Sequence, residues 1–217
     1  MKILIACPTY EEKKYALNEW TEAVKNIENG NNYVDVLLVD NSKDNEYFEE
    51  LKKTGFKVKK IERRENPKDN VANSRNLIRE LFLEKNYDCL FSLEQDVIVE
   101  KDALLKLLSH KKDVVSGVVY NNLPYGNKLK WLPMVYVTHP YDKTGLWYAK
   151  EEELQGNQLI EVRGVSLSCV LIHRKVLEKI KFRYYPKTWD DLPFCEDTIK
   201  AGFRIYVDTS VKPKHLH

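Results

Sequence analysis

Short apolar runs alternate along the chain with stretches whose apolar residues recur at helical spacing. Residues 2–7 read as a buried strand, closed by Pro8-Thr9-Tyr10. Leu17, Trp20, Val24 and Ile27 then predict an amphipathic helix over 13–27, stopped by Asn29-Gly30-Asn31-Asn32. A second strand over 33–39 ends in Asp40-Asn41-Ser42. A short helix near 45–53 should end at Gly55, a residue suited to a C-terminal cap. A third strand follows over 56–61. Pro67-Lys68-Asp69-Asn70 leads into a helix over 70–84 with Val71, Ser74, Ile78 and Leu81 on one face, and a fourth strand covers 89–93.

Strand and helix in that order, four times, predict a parallel, doubly wound α/β sheet. Ligands of such sheets sit at the carboxyl ends of the strands. There the sequence places Pro8-Thr9-Tyr10, Asp40-Asn41-Ser42 and Glu94-Gln95-Asp96, all polar or turn-forming. Glu94 and Asp96 are two apart, so on extended chain they point the same way and can meet one ligand. A divalent cation such as Mg²⁺ or Mn²⁺, clamped on a diphosphate, suits two such acids. The same triplet also reads as the polar opening of a loop facing water. No glycine-rich dinucleotide fingerprint follows the first strand, and no Walker A sequence is present.

The second half is less regular. A short helix is expected around Ala103, Leu104, Leu107 and Leu108, and strands over 113–120, 165–173 and 203–207. A helix over 190–201 should be capped by Gly202. Residues 121–162 read as irregular and aromatic, with Tyr125, Trp131, Tyr136, Tyr141, Trp147 and Tyr148. Aromatic faces stack on sugar rings, so this stretch is a candidate acceptor groove.

At 217 residues and 43% hydrophobic composition the chain can bury a sizeable core, as one domain with two halves, 1–100 and 101–217. Net charge is +2, which exerts no general pull on nucleic acid. The basic group Lys57, Lys59, Lys60, Arg63 and Arg64 is local; it reads as a solvated face or as help in holding an anionic donor. Cys7, Cys89, Cys169 and Cys195 lack zinc-ligand spacing and read as reduced core residues, the usage of a cytoplasmic protein, with attachment at a membrane surface as an alternative. No apolar run is long enough to span a bilayer.

These segments together resemble the GT-A fold glycosyltransferases of the large family-two type, which use nucleoside-diphosphate sugars. The resemblance covers nearly the whole chain. It rests on Ile3 to Tyr10, Val39-Asp40-Asn41-Ser42, Ser74-Arg75-Asn76, Leu93-Glu94-Gln95-Asp96, Gly164 with the strand after it, Phe194-Cys195-Glu196-Asp197, and the stretch from Gly202 to His215. It implies a single GT-A domain with a mostly parallel sheet, a nucleotide-sugar half and an acceptor-binding, catalytic half. Pro8, Thr9, Tyr10 and Asp40 would line the base and ribose pocket, with Gln95 at the donor. Arg75 would hold an anion or orient Asp40. Glu94 and Asp96 match the metal motif, and His215 a late histidine that binds metal or diphosphate. Asp197, beside Glu196, matches the base of inverting members; Asp190 and Asp191 are close rivals, one of them suited to a helix N-cap. The sequence departs from the pattern at Asn41 and Glu94, and no C-terminal acceptor or membrane element is expected past His215.

The implied activity is metal-dependent, inverting transfer of a hexose from a UDP- or GDP-sugar to a glycan, lipid-linked or protein acceptor, with Mn²⁺ or Mg²⁺ as cofactor. A non-catalytic module that binds nucleotide sugars or glycans is one competing reading, and a nucleotidyltransferase of related fold is another. The latter would want a basic, glycine-rich loop where the chain has Pro8-Thr9-Tyr10-Glu11-Glu12.

Overall fold

The computed structural model describes residues 1–125, 127–139, 141–142 and 145–216, with the backbone alone at Tyr125. Its centre is an eight-stranded sheet. Four strands come from the first half: β1 Lys2–Thr9, β2 Tyr33–Asp40, β3 Lys57–Lys60 and β4 Cys89–Leu93. They pair in parallel in the order β3-β2-β1-β4. The sheet continues with Cys169–His173, Val114–Gly117, Ile205–Asp208 and Leu159–Val162. Cys169–His173 runs antiparallel to both neighbours, and Leu159–Val162 is antiparallel to Ile205–Asp208, so the sheet is mostly, not wholly, parallel.

Period-two alternation sends successive residues to opposite faces. Ile3, Ile5, Leu38 and Phe91 pack with Trp20 of α1 (Leu17–Lys25), Leu51 of α2 (Glu46–Lys52) and Leu104 of the helix Ala103–Ser109. Leu4, Ala6, Leu37 and Leu90 pack with Ile78 and Phe82 of α3 (Pro67–Glu84), Val176 and Leu177 of Arg174–Lys179, and Phe194 of Asp191–Lys200. Helices thus cover both faces. Each fully buried side chain of this size contributes about 1.5–3 kcal/mol relative to exposure.

Several expectations shift. The helix expected over 13–27 opens as a 3₁₀ turn, Glu11–Ala16, because the chain leaves β1 in a tight bend where the Lys13 amide bonds the Tyr10 carbonyl at 2.9 Å. The helix expected from residue 70 starts at Pro67. Asn66 caps it, its side chain accepting from the Lys68 amide at 3.0 Å, and proline at the first helical position sacrifices no bond. Much of 121–162 is strand rather than the expected irregular stretch: Tyr120–Tyr125 pairs with Lys128–Pro133, and Val135–Thr138 lies between Leu146–Tyr148 and Gly164–Val165. The run 165–173 divides between two sheets at Ser166-Leu167-Ser168, where the Ser166 hydroxyl accepts from the Ser168 amide at 3.2 Å. All four cysteines are free and buried. Among the described residues no helix is long and apolar enough to cross a membrane.

Topology decides what meets at the sheet's carboxyl edge. Because Cys169–His173 is reversed, the segment before it, with Ser166 and Ser168, arrives beside the ends of β1 and β4. After Asp96 the chain forms Val97–Ile98, which pairs antiparallel with Lys214–His215 and sets His215 opposite Val97. The tail approaches closely at Gly117, where a Cβ would stand 2.8 Å from Val211 Cγ1 and 2.9 Å from its carbonyl oxygen. Only glycine admits that contact.

Candidate active site

A cavity of about 480 Å³ opens on this edge. Its lining runs from Pro8, Thr9 and Tyr10, through Asp96 and His215, to Trp189, Asp190 and Asp191. The ends of β1, β2 and β4, the C-terminal tail and the first turns of α3 and of the helix Asp191–Lys200 therefore share one space.

Asp96 is 2% exposed. Its Oδ2 meets the Lys13 ammonium, the Tyr15 hydroxyl at 3.4 Å and His215 Nε2 at 3.2 Å. Burial alone would raise its pKa; His215 and Lys13 outweigh that and hold it down at about 2. The other nitrogen of His215, Nδ1, faces the Tyr120 carbonyl at 2.8 Å, an acceptor only, so that nitrogen carries the proton. Burial pushes the imidazole down, but Asp96 outweighs it and raises its pKa, so the imidazolium donates from Nε2 to that carboxylate; the same nitrogen, deprotonated, turns a lone pair toward a cation held beside Asp96. Asp96 Oδ1 is buried with no hydrogen-bond partner among the described residues. The Asp96 carboxylate, with its unsatisfied Oδ1, and the His215 imidazole are two groups that fit a divalent ion such as Mn²⁺.

Glu94 does not join that pair. Its Oε1 accepts from Arg75 Nη2 at 2.6 Å and its Oε2 from the Ser168 hydroxyl at 3.1 Å. Among the described residues no three His, Cys, Asp or Glu side chains form a ready metal cluster. Arg75 is buried and committed to protein groups: Ser92 at 2.8 Å, Glu94, and an ion pair from Nε to Asp190 Oδ2 at 2.8 Å. It orients Glu94 and Asp190, where the sequence pointed to Asp40. Asp40 is fully buried and absent from the lining. It accepts from the Ser42 amide at 2.9 Å and pairs with Lys60 at 3.0 Å, which shapes the loop presenting Asn41. Gln95 lines the cavity, but its polar atoms hold the walls: Oε1 takes the Thr9 hydroxyl, and Nε2 reaches the Lys13 carbonyl at 3.0 Å and the Tyr47 hydroxyl. At the outer end Arg63 lies over the Tyr10 ring at 5.1 Å and donates to the Asn41 carbonyl at 3.2 Å.

Two acid pairs share one helix, and only the first reaches the cavity. Asp191 opens the helix, its Oδ1 accepting from the Leu192 amide at 2.9 Å. Poor solvation and neighbouring Asp190 push its carboxyl up to about 6. Glu196 and Asp197 do not line the cavity. Arg183 grips Asp197 through Nε at 2.7 Å and Nη2 at 2.8 Å, and Glu196 bonds Lys200 at 2.5 Å and the Tyr185 hydroxyl at 2.7 Å. Six residues carry a helix through about 600°, hence onto another face, and about 9 Å along its axis. That geometry separates Asp197 from the wall Asp191 occupies.

Of the aromatics in 121–162, Trp131, Tyr136, Tyr141, Trp147 and Tyr148 stay out of the lining. Tyr136 packs on Tyr148 at 5.1 Å and Trp147 on His139 at 5.1 Å. The side chain of Tyr125, like His217, lies outside the described residues. Tyr10 and half-exposed Trp189 are the rings that do line the cavity. Sequence reasoning missed Lys13 and Trp189; Arg63, from the basic group read either as a solvated face or as help in holding an anionic donor, lines the cavity. The position of Asp190-Asp191 at a helix start facing the strand ends was a usable signal for that pair.

No family model matches the chain, and no curated protein matches it in sequence. Solved structures do match in three dimensions. A197 from STIV superposes with a TM-score of 0.55 at 22% identity, over 100% of this chain and 86% of that one. GalNAc-T7, solved with UDP, GalNAc and Mn²⁺, gives 0.71 at 13% identity over 100% of this chain and 44% of that one. S. aureus TarS, in complex with UDP-GlcNAc, gives 0.60 at 15% identity over 98% and 58%. The chain thus spans less than two thirds of GalNAc-T7 and of the TarS chain.

Proposed function

The chain has the GT-A fold that GalNAc-T7 and TarS share; from that premise we propose that it is a metal-dependent, inverting glycosyltransferase moving a hexose from a UDP-sugar to an acceptor hydroxyl. One observation carries this reading: a single cavity is lined both by Asp96 with His215 and by Asp190 with Asp191. UDP, UDP-GlcNAc and Mn²⁺ in the two neighbours favour that donor and ion.

Tyr10, Asn41 and Arg63 bind the base and ribose, and Asp96 with His215 hold the ion. When bound, the ion supplies positive charge to the departing diphosphate. Asp191 takes the proton of the acceptor hydroxyl while its oxygen bonds to the anomeric carbon and the bond to the diphosphate breaks on the opposite face. Arg75 favours the charged form of Asp190 against the burial that raises its carboxyl, and burial together with Asp190 keeps Asp191 basic. Trp189 offers a ring on which an acceptor sugar can stack. Asp191 replaces Asp197 in the base role because it reaches the cavity.

The test is turnover of UDP-sugars with Mn²⁺ or with a chelator, with product anomers assigned by NMR. Turnover should need the ion and Asp96, and the anomeric centre should invert. Retention would remove Asp191 from the base role. Binding without turnover toward any acceptor would favour the non-catalytic module.

A further inference from the structure

Asp96 cannot stand alone as a charge. It is almost wholly buried, and an isolated buried carboxylate is costly. Three groups meet its Oδ2, from Lys13, Tyr15 and His215. The Tyr15 hydroxyl is neutral, and His215 is charged only when its ring carries a second proton. Lys13 is the partner that brings a permanent positive charge.

Its backbone is held in place. The Lys13 amide bonds the Tyr10 carbonyl at 2.9 Å and its own carbonyl accepts from Gln95 at 3.0 Å. Gln95, the residue between the two acids, is itself clamped by Thr9 and Tyr47. The side chain is 29% exposed and lines the cavity, with the ammonium at the end of a flexible four-carbon stem.

We propose that Lys13 is a resident counter-ion, which neutralises Asp96 in the metal-free protein, competes with the divalent ion for the same carboxylate oxygen, and moves to the donor diphosphate when ion and nucleotide bind together. This rests on the metal-and-diphosphate reading of the cavity. Without nucleotide, an incoming dication faces one carboxylate, an imidazole already engaged by that carboxylate, and a competing ammonium. The diphosphate brings further negative charge that satisfies both cations. Metal and nucleotide therefore reinforce one another, and the coupling is reciprocal.

The experiment follows Mn²⁺ alone by the paramagnetic resonance of the free ion, with no donor or acceptor, on the full chain and on Lys13→Met, Lys13→Arg and Asp96→Asn. Lys13→Met should bind Mn²⁺ at least roughly tenfold more tightly than the parent, because a like charge leaves the site. Lys13→Arg keeps the charge and should match the parent, and Asp96→Asn should lose binding. At saturating Mn²⁺, Lys13→Met should bind UDP at least roughly fivefold more weakly than the parent. Equal or weaker Mn²⁺ binding in Lys13→Met, with binding still lost in Asp96→Asn, overturns the counter-ion and leaves the metal site standing. Unchanged UDP affinity overturns the transfer to the diphosphate. Mn²⁺ binding that survives in Asp96→Asn overturns the metal reading itself.

Discussion

Asp96 and Asp191 line one cavity and are driven in opposite directions. Asp96 is held at about 2 and Asp191 is pushed up to about 6. Burial raises both, so burial is not the difference. Asp96 has Lys13 and His215 against it, whereas Asp191 has another acid, Asp190, beside it in the chain. The first stays an anion throughout the working range and suits a cation; the second can gain and lose a proton near neutrality and suits a base. Two identical side chains acquire two roles from the charges around them.

The largest test of that contrast is Asp191→Asn. Transfer should fall by roughly 10²–10⁴-fold with UDP binding retained. Asp197→Asn, on the same helix, should change the turnover number by less than about threefold, since it breaks only a partly exposed ion pair. Steady-state kinetics on both variants decide between them, and equal losses would return the base to Asp197.

A smaller effect is the pH profile. The turnover number should rise with pH through a limb centred near 6, as Asp191 ionises. A limb centred near 4, the ordinary carboxylate range, would mean that neither burial nor Asp190 raises Asp191.

The smallest effect is on stability. The Asp191 carboxyl is raised above its unfolded value, so its ionisation opposes folding: the cost is absent below about pH 4 and complete above the folded value near 6. Asp191→Asn should therefore be more stable than the parent by about 1–2 kcal/mol at pH 7, and equal to it at pH 4. Asp96 has the opposite sign. Its depressed carboxyl contributes stability above the unfolded value, lost as pH falls through about 2, so Asp96→Asn should be the less stable protein at pH 7. Denaturant titrations at the two pH values read both effects.

Much of the first half was legible in the chain. The largely apolar runs of β1 and β4 and the helical spacing of Leu17, Trp20 and Val24 are local patterns tied to burial. They place Pro8-Thr9-Tyr10 and Glu94-Gln95-Asp96 at strand ends without any tertiary information. The hairpin Tyr120–Tyr125 with Lys128–Pro133 left no such trace, because most of Lys128–Pro133 is exposed and lacks a buried alternating face.

What the sequence determined by itself is the alternation of strands and helices and the chemical types at the strand ends, since periodicity and turn chemistry act over a few residues. Only the tertiary structure decided that Glu94 turns to Arg75, that Lys13 and His215 converge on Asp96 across 83 and 119 residues, and that Asp191 rather than Asp197 faces the cavity. Those outcomes depend on strand order, on the reversed strand Cys169–His173 and on the angular position of each acid around its helix. They are set by contacts between residues far apart in the chain, which local spacing does not record.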